Sequence, residues 1–158
     1  MDFDEVMKLL ASFEKRQLDY VLIGGVALNF HGIARATEDI DLFVRPDPVN
    51  IERLRHALKD VYEDPSIDEI TAEDLSGAYP TIRYVPPSGE LFLDILARLG
   101  DKAAYDDVHF DAVEVGGVTV RLATPTTLYR LKKDTLRAID RADAEALQKK
   151  FQLTPDDE

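Results

Sequence analysis

Two aspartates, Asp39 and Asp41, flank one isoleucine in Thr37-Glu38-Asp39-Ile40-Asp41-Leu42. Side chains alternate along a strand, so both carboxylates leave one face about 7 Å apart along the chain. Ile40, Leu42 and Val44 then take the opposite face. Carboxylates this close repel, and a cation between them removes the conflict; oxygen-only ligands favour Mg²⁺ or Mn²⁺. A third acid, Asp94, stands within Leu91-Phe92-Leu93-Asp94-Ile95-Leu96, where an unpaired carboxylate is expensive to bury. If that strand lies beside Asp39–Val44, the three acids form one cluster able to hold two divalent ions, which suits in-line displacement at phosphorus. Taken singly, each signal is weak. A surface strand that alternates acids and apolar residues has the same Asp-x-Asp spacing, and Asp94 at a strand end would simply be solvated.

Upstream, the apolar run Tyr20-Val21-Leu22-Ile23 ends in Gly24-Gly25 and is followed by a helical pattern. Two glycines at that junction let backbone approach a phosphate closely, and a helix start offers free N–H groups to the anion. An ordinary turn has the same dipeptide. No Walker loop or dinucleotide fingerprint accompanies it, and no serine-nucleophile motif is present.

Taken together, these features resemble the nucleotidyltransferase superfamily of DNA polymerase β. The text Gly-Gly-Val-Ala-Leu-Asn-Phe-His-Gly-Ile-Ala-Arg-Ala-Thr-Glu-Asp-Ile-Asp-Leu, residues 24–42, is similar to its bacterial branch of type IV abortive-infection toxins and minimal nucleotidyltransferases. The resemblance continues through Pro125-Thr126-Thr127-Leu128-Tyr129-Arg130-Leu131-Lys132 and then Arg137, Asp140 and Asp143 at three-residue steps.

The resemblance implies transfer of a nucleoside monophosphate from a triphosphate such as ATP to an acceptor hydroxyl, releasing pyrophosphate. Gly24 and Gly25 would cradle the triphosphate and Lys132 would neutralise its charge. Asp39 and Asp41 would hold Mg²⁺ (or Mn²⁺), and Asp94 would complete a second metal site and help activate the hydroxyl. Arg35 would touch a phosphate or brace the loop before Asp39, and Thr37 would orient that loop. Implied partners are the nucleoside triphosphate, an acceptor tRNA or protein hydroxyl, and a cognate antitoxin or toxin. A nucleotide-binding antitoxin or partner-binding module with weak or no catalysis is the alternative. One departure stands out: many superfamily members have serine where this chain has Gly25.

The elements that must position these residues follow from periodicity. Asp4–Lys15 and Val49–Val61 carry apolar residues at helical spacing, and Tyr20–Ile23 and Asp39–Val44 read as strands. A helix over Val26–Phe30 stops at Gly32. Asp60–Gly77 reads as a long connection with one helical turn at Thr71–Leu75. Two hairpins follow: Thr81–Val85 with Glu90–Leu96 around Pro86-Pro87-Ser88-Gly89, and Val108–Val115 with Val118–Leu122 around Gly116-Gly117. Thr124-Pro125 caps and starts a last helical region that runs to about Phe151, with a break near Asp140. If that helix is continuous, Arg137, Asp140 and Asp143 share one arc, which reads equally well as a solvated charged face.

This order gives an α/β (α+β) fold with a mixed β-sheet and flanking helices. The expected division is a nucleotidyltransferase core at 1–123, a C-terminal helical segment at 124–153, and a frayed tail at 154–158. His31, His56 and His109 lack metal-ligand spacing; His31 reads as structural, near a helix end. Tyr79 and Arg83 would line the cleft or pack on a strand face.

Composition sets the outer limits. The 158 residues are 45% hydrophobic, enough for a buried core and against wholesale disorder. Absence of cysteine removes disulfides, thiolate zinc sites and cysteine nucleophiles. A net charge of -12 argues against a general nucleic-acid coat or an anionic-membrane binder, which need a positive field. No run is long enough for a membrane span and the N-terminus is acidic, so the expectation is a cytoplasmic protein without a membrane partner.

Overall fold

The computed structural model describes residues 2–77, 80–87 and 91–154. Its elements in chain order are α1 (Phe3–Lys15), β1 (Tyr20–Ile23), α2 (Gly24–Phe30), β2 (Asp39–Val44), α3 (Pro48–Val61), β3 (Thr81–Tyr84), β4 (Phe92–Leu96), β5 (Arg98–Leu99), β6 (Ala103–Ala104), β7 (Phe110–Val115), β8 (Val118–Ala123), α4 (Pro125–Lys132) and α5 (Ala138–Phe151). Short 3₁₀ turns occupy Pro65–Glu69, Glu73–Leu75 and Tyr105–Asp107.

Six strands form one mixed sheet in the order β3-β4-β2-β1-β8-β7. β1 runs antiparallel to β2 and parallel to β8, and β2 runs parallel to β4. The two central strands thus hold the Gly24 junction and the Asp39/Asp41 pair side by side. β1 is buried throughout, as a central strand covered on both faces must be. In β2, Ile40 and Leu42 are fully buried while Asp39 and Asp41 keep partial access.

Helices cover both faces. Phe13 of α1 meets the ring of Tyr20 at 5.1 Å between centroids. α1 is joined to α3 where the Ser12 hydroxyl donates to the Ala57 carbonyl at 2.8 Å. On the side that carries Asp41, Leu128 and Leu131 of α4 come together with Ile23, Leu96 and Leu99. Three helix starts have a local cause: Asp2, Asp47 and Thr124 cap α1, α3 and α4 with side-chain oxygens, and Pro48 and Pro125 take first-turn positions.

Three elements differ from the sequence expectation. The C-terminal region breaks at 133–137 rather than near Asp140, giving two helices. The Asp60–Gly77 connection holds two 3₁₀ turns, not one, because Ile67, Ile70 and Leu75 reach the core. The small β5–β6 pair was not expected, since two-residue strands carry no readable period. Gly116 and Gly117, with φ of +57° and +81°, close the β7–β8 hairpin as a two-residue turn. Ser88, Gly89, Glu90, Tyr79 and most of the expected tail lie outside the described residues. No helix among the described residues is long and apolar enough to cross a membrane.

Candidate active site

The parallel register of β2 and β4 sets Asp41 directly opposite Asp94, and Asp39 opposite Phe92. The three acids therefore share one sheet face, and one carboxylate oxygen from each lies within 4.8 Å of the others. That proximity is electrostatically costly. Burial pushes the Asp41 carboxyl up to about 7, and the Asp39 and Asp94 carboxylates push the same way, against a smaller opposing effect of Lys132. A site built only of oxygen donors, with negative charge in excess, fits a hard divalent cation such as Mg²⁺ or Mn²⁺.

Gly24 is tied to this cluster by space as well as by conformation. Its φ is +73°, and a Cβ built there would fall 1.9 Å from Asp41 Oδ2. Only a glycine lets the end of β1 pass so close to the acid. A Cβ on Gly25 would stand 3.0 Å from Thr37 Cβ, so any side chain there would press on the threonine. Thr37 in turn donates from Oγ1 to Asp39 Oδ1 at 2.9 Å, fixing the loop that enters β2. Replacement of Gly24 by alanine is expected to cost at least about 1 kcal/mol from the left-handed backbone alone. It should also displace Asp41, so a thermal melt and a cation titration should both shift.

Arg35 acts as a brace. Its Nε donates to Asp143 Oδ1 at 3.0 Å, Nη1 donates to the Ala36 carbonyl at 2.6 Å, and its backbone N–H donates to Asn29 Oδ1 at 3.0 Å. Lys132, in the last turn of α4, donates from Nζ to Asp143 Oδ2 at 2.8 Å and to Asp140 Oδ1 at 3.3 Å. The same lysine lines a cavity of about 230 Å³ with Gly24, Asp41, Thr135 and Asp140. A larger cavity of about 620 Å³ between the end of α1 and β7–β8 contains none of the clustered acids.

Asp140 and Asp143 are buried, so the solvated-face reading of the last helix does not hold for them. Arg137 is the exposed cap residue preceding α5 and approaches Asp140 from the solvent side at 3.7 Å. The chain turns at 133–137 and aims the two aspartates back at Lys132. Two further groups were not foreseen in these roles. Thr135 donates to Asp140 Oδ2 at 3.0 Å, and nothing in the sequence marks it. Arg83 grips Asp94 through Nε at 2.9 Å and Nη2 at 3.2 Å; its signal is the β3–β4 register, which pairs the two residues directly. His31 is structural, with Nε2 2.8 Å from the Ala123 carbonyl and its ring edge-on to Phe151.

Solved structures with the same fold include the lincosamide antibiotic adenylyltransferase LnuA, determined with lincomycin bound. It is 16% identical, with a TM-score of 0.58 over 94% of this chain and 97% of that one. The antibiotic-resistance factor ANT(2'')-Ia is 17% identical, with a TM-score of 0.53 over 96% and 93% of the two chains. At these identities the likeness is one of fold. No curated protein sequence matches the chain significantly. Residues 8–143, which hold every clustered acid together with Lys132, match the family described as "Nucleotidyl transferase AbiEii toxin, Type IV TA system", and the chain belongs to that family of nucleotidyltransferases.

Proposed function

We propose that this protein moves a nucleoside monophosphate from a nucleoside triphosphate, ATP among them, to a hydroxyl on tRNA or protein, as the toxin of a toxin–antitoxin pair in the cytoplasm. The observation that carries this reading is the meeting of Asp39, Asp41 and Asp94 within 4.8 Å beside the Gly24 junction and Lys132. In this reading residues 1–123 form the catalytic core, and residues 124–153 deliver Lys132 to it.

Mg²⁺, or Mn²⁺, would be held by Asp39 and Asp41 with Asp94 completing a second position, and would supply charge stabilisation at the attacking and leaving oxygens. The remaining work belongs to the chain itself. Backbone N–H groups at Gly24 and Gly25 cradle the triphosphate, since the bare Gly24 backbone lets this turn sit directly against Asp41. Lys132, a compact ammonium at the cavity wall, offsets charge on the departing pyrophosphate. Asp94 accepts the proton of the acceptor hydroxyl as its oxygen bonds to the α-phosphorus and the bond to the pyrophosphate oxygen breaks. Arg35 and Thr37 hold the loop that aims Asp39 and so preserve in-line geometry.

A nucleotide-binding module with little turnover is the second reading. It draws on one observation, the engagement of both Lys132 and Arg35 by Asp143. Incubation with each α-³²P-labelled nucleoside triphosphate, Mg²⁺, total tRNA and lysate protein separates the two. Label entering RNA or protein supports transfer and identifies the acceptor class. Mg²⁺-dependent triphosphate binding without label transfer favours the binding module, and no binding at all removes both.

A further inference from the structure

The acid cluster already contains a cation of its own. Arg83 lies opposite Asp94 across the antiparallel β3–β4 ladder, and its guanidinium engages both carboxylate oxygens, at 2.9 and 3.2 Å. The fork is seated on the Phe92 ring, 4.4 Å from the guanidinium carbon to the ring centroid. Phe92 is in turn the register partner of Asp39. This positive charge at the edge of the cluster is bonded to Asp94.

We infer that Arg83 is a resident competitor for the second divalent cation. It lowers the affinity of the Asp94 position while leaving the Asp39/Asp41 position to bind first. This rests on the metal-dependent reading of the acid cluster given above. A bidentate guanidinium occupies one lone-pair direction on each Asp94 oxygen and sets a fixed positive charge within a few ångströms of any ion that Asp94 would bind. Like charges at that range in a partly buried site repel by an amount that solvent only partly screens. Arg83 bonds to neither Asp39 nor Asp41, so the guanidinium does not occupy the position those two carboxylates offer. The two members of the pair also differ in freedom: the Arg83 side chain is 60% exposed and that of Asp94 15%. Arg83 can swing into solvent when an ion arrives, at the cost of its two bonds to Asp94, whereas Asp94 stays in place. The contact is thus a displaceable plug, and Arg83 is a positioning residue that regulates cation occupancy.

The test is a Mn²⁺ binding isotherm on the full chain, read by the electron paramagnetic resonance of free Mn²⁺. It compares wild type with Arg83→Gln, Arg83→Lys, Asp94→Asn and Asp39→Ala/Asp41→Ala, with circular dichroism as the check of folding. Wild type is expected to show one stronger and one weaker ion. Arg83→Gln should tighten the weaker ion roughly tenfold or more and leave the stronger within about threefold, while Arg83→Lys restores weak binding by restoring the charge. Asp94→Asn should remove the weaker ion. If Arg83→Gln binds the weaker ion as wild type does, or less tightly, the inference is overturned and the metal-dependent reading stands. If no variant and no wild-type sample binds Mn²⁺, that reading fails and the inference falls with it.

Discussion

Asp41→Asn is expected to move stability and activity in opposite directions. Nucleotide transfer should fall by about a thousandfold or more, since the substitution takes a charged ligand from the cation and leaves the triphosphate charge without its counterweight. The metal-free protein, by contrast, should become more stable at pH 8. Asp41 is partly buried beside two other carboxylates and titrates near 7 when folded, whereas in the unfolded chain it titrates near its ordinary value of 3.8. Below about pH 4 the group is protonated in both states and contributes no penalty. Between about pH 4 and 7 the unfolded chain has released this proton and the folded chain still holds it, so the stability contributed by proton retention is lost as pH rises. Above 7 the loss is complete. A shift of this size corresponds to about 4 kcal/mol. The advantage of Asp41→Asn over wild type in urea unfolding should therefore grow from near zero at pH 4 to that magnitude at pH 8. Saturating Mg²⁺ should close the gap by stabilising wild type alone.

Asp143→Ala should be the most damaging single change outside the acid cluster. The carboxylate is buried, and it accepts from both Lys132 at 2.8 Å and Arg35 at 3.0 Å. Removing it leaves two sequestered cations without their shared partner, a defect that costs about 3–5 kcal/mol. It also unties α5 from the loop that leads into β2. Arg137→Ala is the contrasting control. Arg137 approaches Asp140 at 3.7 Å, but its side chain is 74% exposed, so its removal should change stability by about 0.5 kcal/mol or less. Chemical denaturation of the two variants side by side checks the difference. Comparable losses would mean that the buried network has been misjudged.

Much of the fold was legible because its central strands announce themselves. Tyr20–Ile23 is a continuous apolar run closed by glycines, and Asp39–Leu42 alternates acid and apolar residues before the apolar Phe43-Val44. Both strands run over the residues the pattern marks. The acid cluster was legible on a condition, namely that the Asp94 strand lie beside β2, and the register meets it. What stayed hidden depends on tertiary partners. Lys133-Asp134-Thr135-Leu136-Arg137 contains no glycine or proline, so nothing local forces the helix to end there. The break accompanies a bond from Thr135 to Asp140 and the burial of Asp140 and Asp143, neither of which has a sequence period. The Arg83–Asp94 pair was hidden for a related reason: a cross-strand contact is fixed by hairpin register, and the connecting residues carry no single turn signature that sets it. The bond from Arg35 to Asp143 was hidden likewise, because it depends on where α5 packs.

The most direct measurement is transfer of label from an α-³²P nucleoside triphosphate to acceptor, with wild type and Asp39→Ala/Asp41→Ala compared in Mg²⁺ and in excess chelator. The expected result is label in the acceptor only with wild type and Mg²⁺, and none in the other three reactions. Transfer by the double variant, or undiminished transfer by wild type in chelator, would contradict the assignment of these acids as the metal-binding centre of the reaction.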